Sequence, residues 1–244
     1  MALFSREKFD SEIFKCNVYK LFLHEKNSES DILRLINAAD VKPEMIFCIA
    51  DFYRENIMAL EKLGFSLVSI RNIYKYSGSE NKKSAKIPAY NMVANSQLKS
   101  GEINKESLPG LAMVVGETSR FFKDEKIDRK LAINFYEIWV NNSFFAGYAD
   151  EVYIIKEADE VAGFCSVKIK DKSGYIDLIG VKGKYQGKGY GGALLEKAID
   201  YFKKKNITEI FVITEGENVP ANAFYQKNGF ILNKIELAYH KHYK

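Results

Sequence analysis

The seven residues Gln186-Gly187-Lys188-Gly189-Tyr190-Gly191-Gly192 constrain this chain more than any others. They stand between an apolar, strand-like run over 175–181 and a helix-like run over 193–204. Glycines in such a loop let consecutive backbone N–H groups turn toward one point, because no Cβ obstructs them. The helix that follows aims the positive end of its dipole at the same point. A strand, a glycine loop and a helix in that order make an anion cradle, most often for a phosphate or pyrophosphate.

Two cofactor templates fit the loop. Gly187-x-Gly189-x-x-Gly192 formally matches the dinucleotide fingerprint. Three observations disfavour it. The fingerprint should begin almost at the strand end, yet Lys182-Gly183-Lys184-Tyr185 intervenes. The acidic residue expected about 20 residues on would be Glu209, which starts the run 210–213 rather than ending it. The loop also lies late in the chain, so only one more strand–helix–strand unit can follow. The second template is Gln186-x-x-Gly189-x-Gly191, the Q/R-x-x-G-x-G/A loop of acyl-coenzyme A binding.

The next segment, Asn218-Val219-Pro220-Ala221-Asn222-Ala223-Phe224-Tyr225-Gln226-Lys227-Asn228-Gly229-Phe230, favours the second. Asn218 can cap a helix with Pro220 in its first turn. Gly229 suits the left-handed residue after that helix. Tyr225 lies one turn beyond Ala221 on the same face. Together with the loop, this N-x-x-A-x-x-x-Y-x-x-x-G-F pattern closely resembles the GNAT superfamily of acyl-CoA-dependent N-acyltransferases. The resemblance is strongest from about 151 to 230.

Composition agrees. The 244 residues are 47% hydrophobic, with formal net charge +4. That is enough for a sizeable core and even two domains. No run of 18 apolar residues suggests a membrane span, and the opening residues have no signal-like apolar stretch. Cys16, Cys48 and Cys165 read as free thiols in a reducing cytosol. None has metal-site spacing, so no metal is expected. No long Lys/Arg stripe points to nucleic acid. A cytoplasmic location is the expectation, with a homodimer left open.

A pass along the chain gives an α/β (α+β) protein in two parts. Strands are expected over 17–24, 45–50 and 66–75, with a helix over 31–39 capped by Ser30 and another over 54–63 ending at Gly64. The polar stretch 77–86 reads as a linker. Beyond it come a strand over 90–94 and helices over 109–118 and 129–141. Strands follow over 152–156, 161–170 and 175–181. The last elements are helix 193–204, strand 210–214, helix 220–228 and strand 230–243. Residues 56–68 parallel 221–233, each a helix running through Gly-Phe into a strand. The first part lacks the glycine loop, and Leu60 stands where Tyr225 stands. We therefore expect a degenerate GNAT-like lobe over 1–77, its sheet beside that of a catalytic GNAT domain over 87–244. The fold expected is a mixed central sheet flanked by helices.

This layout resembles the dTDP-fucosamine acetyltransferases, which act on dTDP-4-amino-4,6-dideoxygalactose. Phe9-Asp10-Ser11-Glu12-Ile13-Phe14 is similar to their opening motif. Ser119-Arg120-Phe121, Asp124 and Phe135-Tyr136-Glu137-Ile138-Trp139-Val140 are similar to their central block, and Tyr239-His240 to their close. Phe9 replaces the usual Trp, and the tail is rich in lysine.

The resemblance implies acetyl-CoA as cofactor and a small-molecule amine, such as a nucleotide sugar, as acceptor. It implies cofactor contacts from Gln186, Gly187, Lys188, Gly189, Tyr190, Gly191 and Gly192, and from Asn218. Leu178, Ile179 and Val181 would lie along the pantetheine, with a backbone N–H of Val181 or a neighbour at the oxyanion. Tyr225 would be the general acid. Asp177 or Glu215 would accept the amine proton, and Arg120, Tyr239 and His240 would meet substrate, with His240 a further candidate base. A different amine, such as a protein N-terminus or an antibiotic, and a non-catalytic acyl-CoA sensor stay open as alternatives.

Overall fold

The computed structural model describes residues 3–78, 90–98, 102–103 and 105–243. The linker expected over 77–86 lies, from 79 on, outside the described residues. The chain begins with β1 (Leu3–Arg6), α1 (Lys8–Phe14), β2 (Val18–Leu23), α2 (Glu29–Asn37), β3 (Met45–Asp51), α3 (Arg54–Lys62) and β4 (Ser66–Tyr76). Then come β5 (Met92–Ala94), α4 (Leu108–Gly116), α5 (Arg120–Lys123), α6 (Arg129–Phe145), β6 (Glu151–Glu157), β7 (Glu160–Lys170) and β8 (Ser173–Val181). The chain closes with α7 (Tyr190–Lys204), β9 (Ile210–Glu215), α8 (Val219–Lys227) and β10 (Phe230–His242).

The α2 cap is Ser28, not Ser30. Ser28 Oγ accepts from the Asp31 N–H while the Asp31 carboxylate accepts from the Ser28 N–H. This reciprocal pair satisfies two orphan donors and places the start of the helix two residues earlier. α7 begins at Tyr190, three residues before the expected start, because Gly189 caps it in left-handed conformation.

All ten strands form one mixed sheet in the order β1-β2-β3-β10-β4-β9-β8-β7-β6-β5. Only β2/β3 and β8/β9 pair in parallel. The first part therefore does not lay a separate sheet beside the second. Instead β4, from the first part, lies between β9 and β10, and β10 lies between β3 and β4. The units β3–α3–β4 and β9–α8–β10 have the same order, and each sends its last strand to the first strand of the other. Strand periodicity shows that a run has two faces, but not which neighbour it chooses.

Helices α1, α4, α5 and α6 cover one face, where Phe14, Phe47, Phe121, Phe135 and Phe144 form the core. The other face carries two clusters. Leu194, Ala198 and Phe202 of α7 and Tyr225 of α8 build one. Ile32, Ile36, Ala59 and Leu60 of α2 and α3 build the other.

Candidate active site

The site forms where β8 and β9 part. Their pairing runs through Gly174/Ile210, Tyr175/Phe211 and Ile176/Val212 and then ends, although β8 continues to Val181 and β9 to Glu215. On its other edge β8 stays paired with β7 to its last residue. That pairing slips by one between Ser166 and Val167, leaving Asp177 as the extra residue of a bulge.

The direction of the free N–H groups follows from the ladder. The Leu178 N–H donates to Ser166 Oγ (3.0 Å) and the Lys182 N–H to the Ala162 carbonyl (2.9 Å), both on β7. Backbone N–H groups of a strand alternate between its two neighbours. The N–H groups of Ile179 and Val181 therefore point into the opening toward β9.

Beyond β8, one tight turn at Gly183–Tyr185 leads into the glycine loop. Gly187 (φ +77°) and Gly189 (φ +86°) hold left-handed conformations that cost any L side chain roughly 1–2 kcal/mol. A Cβ on Gly189 would also come within 2.7 Å of the Tyr90 hydroxyl, which donates to the Lys188 carbonyl (2.7 Å). The N–H groups in the first turn of α7 have no intrahelical partner. Above them, a Cβ on Gly187 or Gly192 would meet nothing within 4 Å. An open, N–H-lined space at a helix N-terminus fits a pyrophosphate.

The loop is braced from behind. Gln186 folds back, its amide donating to the Val181 carbonyl (3.0 Å). Glu160 accepts from Lys182, Lys184 and the Tyr185 hydroxyl, which hold its carboxyl below the usual range. The Lys188 ammonium lies 5.1 Å from the Tyr185 ring centroid. Tyr190 is buried, its ring edge-on to Tyr90 and its hydroxyl on Glu157, so this side chain braces the loop from the core.

Tyr225 lies in the α7/α8 core beside Tyr74, Phe224 and Phe230. Among the described residues its hydroxyl makes no hydrogen bond. Burial, and secondarily the Cys165 thiol on β7, push its pKa well above that of an ordinary phenol. Cys165 is the β7 partner of Ile179, which places Tyr225 near the opening.

Asn218 caps α8, its Oδ1 accepting from the Ala221 N–H (3.2 Å), and its amide donates to Thr118 (3.1 Å). Glu215 ends β9 and accepts from Ser69 Oγ. Asp177 accepts from Trp139 Nε1 (3.1 Å), and burial raises its pKa despite that hydrogen bond. Leu178 packs into the α4–α6 core, on the side where Trp139 also lies.

Tyr239 and His240 separate, since successive strand residues face opposite sides. Tyr239 is buried among α2 and α3 residues, away from the face that carries Arg120, so its expected place at the substrate is not supported by its position. His240 lies on the α4–α6 face between Phe47 and Phe121. Its Nδ1 is 2.7 Å from Asp124 Oδ2, which His242 Nε2 also reaches at 2.7 Å. Burial pushes His240 down to about 4. The ring is therefore neutral, with Nδ1–H donating to Asp124.

Sequence reasoning missed Asn222 and Arg71. The Asn222 amide donates to the carbonyls of Glu215, Gly216 and Asn218 and accepts from Asn72 and Tyr74, fixing the end of β9. Arg71 on β4 is in register with Glu215 and pairs with Glu236 (2.9 Å). Arg71 has its partners only through the strand exchange, while Asn222 joins its own neighbours to Asn72 and Tyr74 of the exchanged β4.

Two trios, Asp124/His240/His242 and His24/Asp51/Glu236, bring metal-type ligand atoms together. In the first, both rings lie at hydrogen-bond distance from one carboxylate oxygen. In the second, the Lys234 ammonium pairs with both carboxylates. A separate open groove of about 510 Å³ between α1 and α6, lined by Phe9, Leu131 and Tyr148 among others, contains none of the candidate catalytic residues.

Residues 117–230 match the Acetyltransferase (GNAT) family. A Bacillus subtilis protein called uncharacterized protein YxbD is 41% identical over 82 residues, 34% of this chain and 50% of that protein. The mycothiol acetyltransferase of Renibacterium salmoninarum is 33% identical over 31% of this chain and 24% of its own length. The spore coat polysaccharide biosynthesis protein SpsD of Bacillus subtilis is 27% identical over 50% of this chain and 42% of its own. The chain thus spans half or less of these relatives. A GCN5-related N-acetyltransferase from Sphaerobacter thermophilus superposes with TM-score 0.60 at 12% identity, covering 99% of this chain and 76% of that one. The parted strands, the glycine loop and the match over 117–230 make this part of the chain similar to the Acetyltransferase (GNAT) family, and the chain has the GNAT fold.

Proposed function

We propose that this protein is an acetyl-CoA-dependent N-acetyltransferase acting on the amine of a small molecule. The observation that carries the reading is the opening of β8 from β9. It leaves the Ile179 and Val181 N–H groups free beside both the glycine loop and Tyr225. Acetyl-CoA, when bound, supplies the acyl thioester. The loop N–H groups hold its pyrophosphate, with the α7 dipole behind them. The Ile179 and Val181 N–H groups donate to the carbonyl oxygen as it gains negative charge. Asp177 receives a proton from the acceptor ammonium, which frees the amine to attack. Its raised pKa makes it a better base than an ordinary aspartate. Glu215 binds the same ammonium from the β9 side. Tyr225 gives its proton to the departing thiolate.

For the acceptor we propose a nucleotide sugar carrying an amine, of the dTDP-4-amino-4,6-dideoxygalactose type. Ser119, Arg120 and Asp124 from the central motif and His240 from the closing one assemble on one sheet face, which supports this reading. The test is thiol release from acetyl-CoA against a panel of amines that includes dTDP-aminosugars, aminoglycosides and a peptide N-terminus. Release with dTDP-aminosugars above all others is expected. Release with peptide or antibiotic alone overturns the acceptor assignment. Coenzyme binding without release to any amine favours a sensor.

A further inference from the structure

Four buried side-chain polar atoms lack a hydrogen-bond partner among the described residues: Asp10 Oδ2, Ser119 Oγ, Arg120 Nε and His240 Nε2. Asp10 has the Lys20 ammonium at 3.0 Å. The other three belong to one region, the N-terminus of α5 and the part of β10 beneath it. His240 stacks on Phe121, the residue after Arg120, and feels the charge of Arg120. Buried polar atoms are nearly always paired, and a cluster that is not marks a place where something else pairs with them.

The charges there are unequal in kind. Arg71 has Glu236. Arg120 has no carboxylate partner among the described residues, and its nearest company is the face of Phe121, with the guanidinium 4.4 Å from the ring centroid. Arg71 has its pKa lowered by burial and then by Arg120, so the two guanidiniums repel across low dielectric. Ser119 Oγ is close to the Tyr136 phenol, outside hydrogen-bond geometry. His240 is neutral with Nδ1–H on Asp124, so its Nε2 is a bare acceptor. The cluster thus offers a half-buried cation with a buried Nε–H, a hydroxyl donor and one acceptor.

We propose that Arg120 and Ser119, with Arg71 behind them, receive an anionic group of the acceptor, a carboxylate or a phosphoryl group, while His240 Nε2 accepts from a hydroxyl of the same molecule. This rests on the acyl-transfer reading for its location, since Arg71 lies in register with Glu215 at the parted strands. It adds where the acceptor's anionic group is held and that the first part of the chain helps to bind it. His240 lies four residues along β10 from Glu236, itself in register with Arg71, or roughly 13 Å at the rise of a strand. An acceptor of sugar-phosphate size spans that length.

The test uses the full chain saturated with coenzyme A, so that the glycine loop is filled. Inorganic phosphate and acetate are titrated separately by calorimetry and by thermal shift, which distinguishes a phosphoryl from a carboxylate preference. One of them is expected to bind and to raise Tm. Arg120→Met is expected to weaken that anion at least tenfold and abolish its thermal shift, leaving coenzyme A affinity unchanged. Arg120→Lys should keep part of the anion binding. Should Arg120→Met fail to fold, the lysine variant alone decides, since it keeps the charge and loses the fork. No binding of either anion, or equal binding by the variants, overturns the proposal. If coenzyme A itself does not bind, the cofactor reading fails separately. The anion titration is then read on Gly192→Glu protein, whose loop is blocked.

Discussion

Glu215, the last residue of β9, lies in register with Arg71 of β4, and its carboxylate accepts from Ser69 on that same strand. The wall of the parted strands is therefore made by both parts of the chain. If the first part is removed and the protein expressed from residue 90 onward, β9 and β10 lose the strand between them. We expect an insoluble or unfolded fragment, because β4 and β10 share ten registered positions and their apolar neighbours would be bared. A soluble fragment with full acetyl-transfer activity would contradict this.

Tyr225→Phe keeps the ring and removes the proton. A fall in kcat of about 10²–10⁴-fold is expected, with the KM for acetyl-CoA nearly unchanged. Since burial raises the phenol pKa, the group stays protonated through the range in which free tyrosine ionises. Any loss of wild-type activity up to about pH 10 must come from another group and should persist in the variant. A variant within threefold of wild-type kcat, with chemistry rate-limiting, would make Tyr225 a core residue only.

Asp177→Asn tests activity and stability in opposite directions. The raised pKa means that the folded state binds the proton more tightly than the unfolded chain. This contribution favours folding below the unfolded aspartate pKa and is lost as pH rises through the higher folded value. Burial disfavours the charged carboxylate, so the neutral amide should raise Tm slightly at neutral pH. The same change should lower kcat/KM at least tenfold and remove the acid limb of its pH profile. Unaltered kcat/KM would assign the proton to Glu215.

Gly192→Glu should leave the fold intact, since a Cβ there meets nothing within 4 Å. The carboxylate would lie across the start of α7, where it pairs with the helix dipole and repels a pyrophosphate. Calorimetry should show coenzyme A binding lost while the circular dichroism spectrum is unchanged. Gly189→Ala should do both kinds of damage, through its φ of +86° and its contact with the Tyr90 hydroxyl. Normal coenzyme affinity in folded Gly192→Glu would move the cofactor elsewhere.

What was legible in the sequence was local. Gly229 announces positive φ, Asn218 announces a cap, and the apolar run of β8 announces a strand. The structure bears these out because each is decided within a few residues. The partner of a strand is decided by distant residues, and there the reading stopped. Aligning 56–68 with 221–233 sets Asn56 against Ala221. In the structure its counterpart is Asn222, one residue on. Both are buried in a first helical turn, with amides fastened to the carbonyl ending the preceding strand, that of Asp51 or Glu215. Tyr239 beside His240 looked like one motif, but a period of two assigns the neighbours to different cores. The bulge at Asp177 depends on how β7 and β8 pair, and the company of Arg120 on residues of distant elements, so neither has a signature in one segment.

The position of β10 also orders the events of synthesis. It is made after the other nine described strands, yet it lies fourth in the sheet, between β3 and β4. Until it leaves the ribosome, β3 and β4 each present an unpaired edge, separated by the width of one missing strand. The first part can collapse early but cannot close. Such pairing between distant residues slows folding and exposes edges to other chains meanwhile. A nascent chain halted before Phe230 should therefore be held by chaperones, and supplying the 230–242 strand in trans should release it.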